Sequence, residues 1–88
     1  MVKQDVIARR NCVDTQEAAE CAGRAAKFCS TLMMSTGIHW IDAKSKLGIM
    51  RLLITEGSNV MLWADGVDEI NAIRSLVTFL ESGSSSIL

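Results

Sequence analysis

Residues 31–52 read TLMMSTGIHWIDAKSKLGIMRL, and this stretch decides the fold. Two short apolar runs, 31–35 and 38–42, flank Thr36-Gly37, which is the pattern of two antiparallel strands joined by a tight turn. Residues 45–52 then show helical spacing behind a serine, and a serine hydroxyl is a favoured helix N-cap. The stretch predicts a strand–strand–helix unit.

The residues before this unit predict a strand and a helix. Residues 2–8 alternate imperfectly between apolar and polar side chains, as a strand does. Asp14-Thr15-Gln16-Glu17 follows, and an acidic N-cap with glutamate three residues later is a capping-box pattern. Behind it the predicted helix carries a face of small residues, namely Ala18, Ala19, Cys21, Ala22, Ala25 and Ala26. We expect this face to lie close against a sheet.

The residues after the unit predict one more strand and one more helix. Residues 59–64 form an apolar run between the turns Glu56-Gly57 and Asp65-Gly66. From about Asp68, helical spacing defines a core-facing stripe of Ile70, Ile73, Leu76, Val77 and Leu80. The element order is therefore βαββαβα, which an antiparallel sheet with helices on one face satisfies. We expect one domain over residues 1–82 and a flexible Ser-rich tail over 83–88.

Composition excludes several functional classes. The chain has 88 residues and a formal net charge of -1, and its Lys and Arg residues are scattered, so nucleic acid is a poor candidate partner. Apolar runs reach only four or five residues, whereas a membrane span needs about 20, and the first residues contain no apolar signal core. We therefore expect a cytoplasmic protein that is not inserted in a membrane.

The cysteines and the single histidine do not suggest a metal site. Cys12, Cys21 and Cys29 include no Cys-x-x-Cys pair, and His39 alone cannot complete a zinc site. We expect Cys21 and Cys29 to be reduced and buried, and His39 to be a partly buried residue in the middle of a strand. No metal and no cofactor is predicted.

Several short stretches occur together at a characteristic spacing, namely Thr15 with Ala18-Ala19, Phe28, Ala43-Lys44-Ser45, Gly48-Ile49-Met50, Glu56-Gly57 and Gly66-Val67-Asp68-Glu69. In this they resemble the HPr family, the histidine-containing phosphocarriers of the bacterial sugar phosphotransferase system. The pattern is most similar to the regulatory branch called catabolite-repression HPr, and the likeness covers residues 1–81. The resemblance implies an α+β open-faced β-sandwich, with a four-stranded antiparallel sheet in the order 1-4-2-3 and three helices on one face.

The sequence departs from the family at its carrier motif, Leu-His-Thr-Arg-Pro-Ala-Ala. Here Asp14 stands in place of the phosphorylated histidine, Gln16 in place of the arginine and Glu17 in place of the proline. Two carboxylates would repel an incoming phosphoryl group at a helix N-terminus, and the motif retains no arginine to offset them. We expect a non-catalytic protein that regulates or binds. Asp14 is either a helix cap or a mimic of the charge of phosphohistidine.

The resemblance also implies a regulatory and partner-binding surface. Ser45 matches the serine that HPr kinase phosphorylates in Gram-positive relatives, and its other interpretation is an N-cap. Expected partners are phosphotransferase-system proteins, HPr kinase or a transcriptional regulator, although Lys46 occupies a position that is apolar in the regulatory relatives. The partner-binding candidates are Thr15, Lys46, Leu47, Met50 and Arg51. The alternatives are a phosphocarrier that uses a non-standard residue and a homo-oligomeric interaction module.

Strand alternation predicts an unusual second surface. If the residues that the pattern assigns to the core point toward the helices, their neighbours Ile7, Met33, Trp40, Met61 and Trp63 point to the open side of the sheet. A contiguous apolar patch with two tryptophans is typical of an interface, such as that of a homodimer. The alternative is that the two tryptophans cover each other or that the strand register differs.

Overall fold

The computed structural model describes residues 1–82, and it contains the seven elements in the predicted order. The predicted tail, residues 83–88, lies outside the described residues. The elements are β1 (Val2–Ile7), α1 (Thr15–Ala25), β2 (Thr31–Ser35), β3 (Trp40–Asp42), α2 (Lys46–Leu52), β4 (Asn59–Asp65) and α3 (Glu69–Glu81).

The four strands form one antiparallel sheet in the order β1-β4-β2-β3. Val6 pairs with Val60 between β1 and β4, and Met34 pairs with Leu62 between β2 and β4. Since each pairing aligns apolar residues, the register places them all on the face that the three helices cover. The open-faced sandwich and its strand order are as predicted.

The core lies between the inner face of this sheet and the helices. Among the residues that strand alternation assigns to the inner face, Ile41 is half-buried and packs against the core. The others are buried, namely Val6, Ala8, Leu32, Met34, Val60, Leu62 and Ala64. Each large apolar side chain buried in this way contributes about 1.5–3 kcal/mol relative to its exposed state. The largest fully buried side chains include Phe79, Leu32, Met34, Ile49, Ile54, Leu62, Leu76 and Leu80.

The stripe predicted for α3 is wrong at one residue. Ile70 is 52% exposed, and the buried positions of the helix are Ala72, Ile73, Leu76, Phe79 and Leu80. Because an α-helix turns about 100° per residue, Ile70 lies about 120° around the helix from Leu76 and therefore beside the buried stripe. Val77 is half-buried and packs against the core.

The hairpin between β2 and β3 is shorter than predicted. β3 begins at Trp40 rather than at residue 38, and Ile38 is 82% exposed. Residues 38 and 39 belong to the turn instead, because Gly37 adopts a φ of 114° and its amide donates to the Ser35 hydroxyl at 2.9 Å. His39 is consequently exposed ahead of β3, so the prediction of a partly buried residue in the middle of a strand is wrong.

A carboxylate attaches the start of α3 to the start of β2. Asp68 accepts hydrogen bonds from the backbone amide of Cys29 at 2.8 Å, from the amide of Ser30 at 3.0 Å and from the Ser30 hydroxyl. The Ser30 hydroxyl and the Cys29 amide lower the pKa of Asp68 from its ordinary value. Gly66 is required beside this contact, because its φ is 154° and a Cβ there would lie 2.5 Å from the Ser30 hydroxyl oxygen.

The longest helix of the described chain, α3, has 13 residues. Across residues 1–82, no helix combines the length and the apolar character that a membrane crossing requires.

Candidate functional site

The start of α1 is capped by the side chain of Asp14. Asp14 has extended backbone angles, and its Oδ1 accepts the backbone amide of Glu17 at 2.8 Å, as the capping pattern predicts. The Asp14 side chain lies at the surface, and so do Thr15 and Gln16. The carboxylate therefore satisfies one of the free amides that an anion at this helix end would otherwise use.

Arg10 balances the second carboxylate of this helix start. Its guanidinium donates to Glu17 Oε1 at 3.0 Å and to the Ser82 hydroxyl at 3.1 Å, and it lies 4.0 Å from the centroid of the Phe79 ring. Arg24 approaches the same ring at 5.2 Å. Arginine over an aromatic face is favourable because the ring carries negative charge on its face.

The motif itself retains no arginine, but Arg10, four residues before Asp14, offsets the charge of Glu17. Arg10 lies in the loop between β1 and α1, outside the motif, and no helical or strand period relates it to Glu17. The capping-box pattern predicts that Glu17 turns back to its own helix cap, whereas its carboxylate accepts from Arg10. The only sequence signal was an arginine four residues before an acidic cap.

The start of α2 is also capped, but by a hydroxyl. Ser45 Oγ accepts the amide of Gly48 at 3.1 Å, and the Ser45 carbonyl accepts the amide of Ile49 at 3.0 Å. The N-cap interpretation of Ser45 is thus confirmed, and its side chain is half-buried. Gly48 allows close packing here, because a Cβ at this position would lie 3.2 Å from the Cβ of Ile41.

The two lysines beside Ser45 differ in their contacts. Lys44 Nζ donates to the carbonyl of Phe28, just after α1, at 2.8 Å. Lys46 is exposed in the first turn of α2, which contains no acidic residue. The start of α2 is therefore a neutral cap with one exposed cation, whereas the start of α1 carries two carboxylates.

The predicted partner-binding residues of α2 form one exposed strip. Lys46 and Arg51 are exposed, Leu47 is 64% exposed and Met50 is half-buried. These positions recur at spacings of four residues, so they lie along one side of the helix. Thr15 is exposed at the start of α1, and α1 packs against α2.

The five apolar residues predicted to face outward lie on the open side of the sheet, but only three of them line a common depression. Met33, Trp40 and Trp63 line a depression of about 470 Å³ on the open sheet face, together with Lys3 and Thr31. Trp40 is 43% exposed, and Met33 and Trp63 are half-buried.

The other two of these outward-facing residues lie apart from this depression. Met61 pairs with Ser35 in the adjacent row of the sheet and is half-buried. Ile7 pairs with Asn59 and lines a separate depression beside Arg9 and Glu81.

The cysteines differ from one another in burial. Cys12 and Cys21 are buried, and burial raises the pKa of the Cys12 thiol to about 11 and that of Cys21 to about 12. Cys29 is exposed in the turn after α1, so the prediction that it is buried is wrong. Within residues 1–82, the His, Cys, Asp and Glu side chains form no group of three or more that could hold a metal ion.

Comparison with known proteins identifies the family of this fold and site. Residues 3–82 match the family model described as the HPr component phosphorylation site of the phosphotransferase system. The chain is 30% identical over 79 residues to the HPr-like protein Crh of Halalkalibacterium halodurans, covering 90% of this chain and 94% of Crh.

Two solved structures are similar along nearly the whole chain. The crystal structure of HPr-C-His from Thermoanaerobacter tengcongensis is 32% identical with a TM-score of 0.87, and the similarity covers both chains completely. The crystal structure of Crh from Bacillus subtilis is 29% identical with a TM-score of 0.75, covers 98% of this chain and all of Crh, and is described as a swapped dimer. The chain belongs to the HPr family of the bacterial phosphotransferase system, with the phosphocarriers and the Crh proteins as its relatives.

Proposed function

We propose that this HPr-family protein is a cytoplasmic regulatory or adaptor module, which binds proteins of the sugar phosphotransferase system and does not relay phosphate. The observation that carries the proposal is the start of α1, which is acidic and already capped by a carboxylate. The Asp14 carboxylate already occupies the amide of Glu17, and Glu17 already engages Arg10.

This arrangement opposes phosphoryl transfer in two ways. A phosphohistidine relay needs a neutral imidazole as nucleophile, whereas the motif sets the carboxylate of Asp14 at that position. An incoming phosphoryl group also needs free amides and a cation, and here the Asp14 carboxylate accepts the Glu17 amide and the Arg10 cation pairs with Glu17. The one histidine of the sequence, His39, lies in the loop before β3 and does not belong to this helix start.

The exposed strip of α2 supports a role in protein binding. Leu47 exposes most of its apolar side chain, and Lys46 and Arg51 place positive charge around it. An apolar centre bordered by charges is the usual composition of a protein interface. We propose that this strip and Thr15 bind phosphotransferase-system proteins or a transcriptional regulator.

A phosphorelay assay tests the proposal. The protein is mixed with enzyme I and radiolabelled phosphoenolpyruvate, with an authentic HPr as the positive control. We expect no acid-labile label on this chain. The variant that restores the family motif, Asp14→His with Gln16→Arg and Glu17→Pro, is expected to gain label if the helix start is the obstacle. Stable acid-labile label on the wild-type protein would overturn the proposal.

We further propose that phosphorylation of Ser45 switches the module. Ser45 starts α2, where the helix dipole and the Gly48 amide favour a negative phosphate, and Lys46 supplies an exposed cation next to it. The phosphate would add about two negative charges beside the exposed strip of α2. Binding of a partner to that strip would change accordingly.

Incubation with ATP and an HPr kinase tests this switch by mass spectrometry. We expect one added phosphate, which Ser45→Ala abolishes. Ser58→Ala is the matched control, because the Ser58 hydroxyl also accepts a backbone amide, that of Thr55 at 3.1 Å. A wild-type protein that takes up no phosphate would eliminate the switch at Ser45, while the relay assay still decides the adaptor proposal.

A further inference from the structure

One row across the open face of the sheet is arranged with opposite charges at its two ends. Lys3 pairs with Trp63, Trp63 pairs with Met33, and Met33 pairs with Asp42. The order across the sheet is therefore cation, tryptophan, methionine, anion. We call this set the cross-sheet row.

The cross-sheet row is complementary to itself. A two-fold axis that runs parallel to the strands, between β4 and β2, reverses the order of the row in a second copy. Lys3 of one copy then faces Asp42 of the other, and Trp63 faces Met33. Both contacts occur twice, which is the defining property of an isologous interface.

We propose that the open sheet face binds a second copy of this chain, face to face, with the cross-sheet row of each copy stacked on that of the other. Two packed sheets lie about 10 Å apart with nearly aligned strands, a spacing that tryptophan and methionine side chains fill. The depression of about 470 Å³ at Met33 and Trp63 supplies a concave surface for the side chains of the partner copy. The pairing closes the open side of the sandwich.

The charges at the two ends of the cross-sheet row match in this orientation. Among the strand residues of the described chain, Lys3 is the one cation on the open face, and it lies on β1, at one edge of the sheet. Asp42 lies on β3 at the opposite edge and is exposed. A two-fold axis perpendicular to the strands would instead bring Lys3 of one copy to Asp5 of the other. Asp5 lies two residues from Lys3 on the same strand and the same face, so this second arrangement also pairs Lys3 with a carboxylate, and charge reversal at Asp5 distinguishes it from the first.

The interface is independent of the proposed function, because the open face lies opposite the helices that carry Asp14 and Ser45. Sedimentation velocity over a concentration series measures it on the complete chain. We expect the wild type to pass from monomer to dimer. The emission of Trp40 and Trp63, the two tryptophans of the chain, shifts to shorter wavelength in the same concentration range.

Charge reversal then tests the geometry. Lys3→Glu and Asp42→Lys each place like charges together twice, so each variant alone is expected to dimerise at least about tenfold more weakly. An equimolar mixture of the two variants regains the dimer, because both contacts of the heterodimer are then between opposite charges. Lys27→Glu, an exposed lysine outside the strands, is the matched control and leaves the dimer intact.

Three outcomes would overturn the proposal. The first is a wild-type protein that stays monomeric up to millimolar concentration. The second is a dimer that both single variants retain, which would place the interface elsewhere. The third is recovery when Lys3→Glu is mixed with Asp5→Lys and not with Asp42→Lys. Melting curves by circular dichroism confirm that each variant is folded, which matters for Asp42 because its carboxylate accepts the Lys44 amide at 2.9 Å.

Discussion

The first turns of α1 and α2 share one capping geometry and differ in charge. In α1 the Asp14 carboxylate accepts the amide of the third helical residue at 2.8 Å, and in α2 the Ser45 hydroxyl accepts the equivalent amide at 3.1 Å. The α1 cap has a second carboxylate beside it, that of Glu17, and the α2 cap has an exposed Lys46. The same hydrogen bond thus occurs in opposite electrostatic surroundings.

This difference shows that capping a helix start and accepting an anion there have different requirements. Either side chain satisfies a free amide, so the backbone geometry alone does not show whether a helix start accepts phosphate. The neighbouring charges decide it, since negative groups repel an incoming phosphoryl group and cations attract it. In this fold the α1 start holds an ion pair between Glu17 and Arg10.

Replacement of Arg10 is expected to give the largest effect. Arg10→Ala removes the bonds to Glu17 and Ser82 and the contact with the Phe79 ring, and it leaves two carboxylates at one helix start. We expect the free energy of unfolding in urea to fall by about 2–3 kcal/mol, the range for a charged hydrogen bond and a cation–π contact that are both lost.

Arg9→Ala is the matched control for this variant. Arg9 is the adjacent arginine and is exposed, and its backbone amide bond to Leu80 does not involve the side chain. We expect a change within about 0.5 kcal/mol. Equal losses in both variants would show that net charge, and not the Arg10 contacts, stabilises the α1 start.

The order of the elements was predictable because its signals are local, whereas the strand order 1-4-2-3 was implied by the resemblance to the HPr family. The strand alternation, the caps at Asp14 and Ser45 and the glycine turns each fix one element, and together they leave few ways to cover the sheet. Cys29 and Ile70 were predicted wrongly, because the exact path of a turn and the rotation of a helix depend on packing. A turn of a few residues exposes Cys29, although the apolar Phe28 next to it is half-buried.

The candidate site was predictable only where it lies within one element. Both capping residues follow from their own sequence neighbourhood. The contact of Arg10 with Glu17 crosses a loop, and its contact with Phe79 joins residues 69 positions apart, so no period in the sequence indicates either of them. The cross-sheet row likewise depends on three strand pairings, which the alternation of one strand does not contain.

Removal of the two caps is expected to give smaller and similar effects. Asp14→Ala and Ser45→Ala each lose one side-chain bond to a backbone amide, which costs about 1 kcal/mol at a typical N-cap. Exchange of the capping types, Asp14→Ser and Ser45→Asp, retains the bond and is expected to change the free energy of unfolding by no more than about 0.5 kcal/mol. Urea denaturation of the four variants would contradict this if the exchanges destabilised as much as the alanines.

Thiol reactivity tests whether the two helix starts open independently. Cys12 precedes Asp14 by two residues, and it is buried with a pKa of about 11, so its thiolate is scarce at pH 8. In the wild type we expect an aromatic disulfide reagent to modify the exposed Cys29 rapidly and Cys12 slowly.

Asp14→Ala is expected to accelerate Cys12 about fivefold, since loss of about 1 kcal/mol raises the open population by that factor. Cys29→Ser removes the rapid phase, and Cys21→Ser then assigns the slow phase to Cys12, because Cys21 is buried as well. Ser45→Ala should leave the rate at Cys12 unchanged. Equal acceleration of Cys12 in both cap variants would mean that the starts of α1 and α2 open as one unit. The different charges of the two helix starts would then have no effect on how they open.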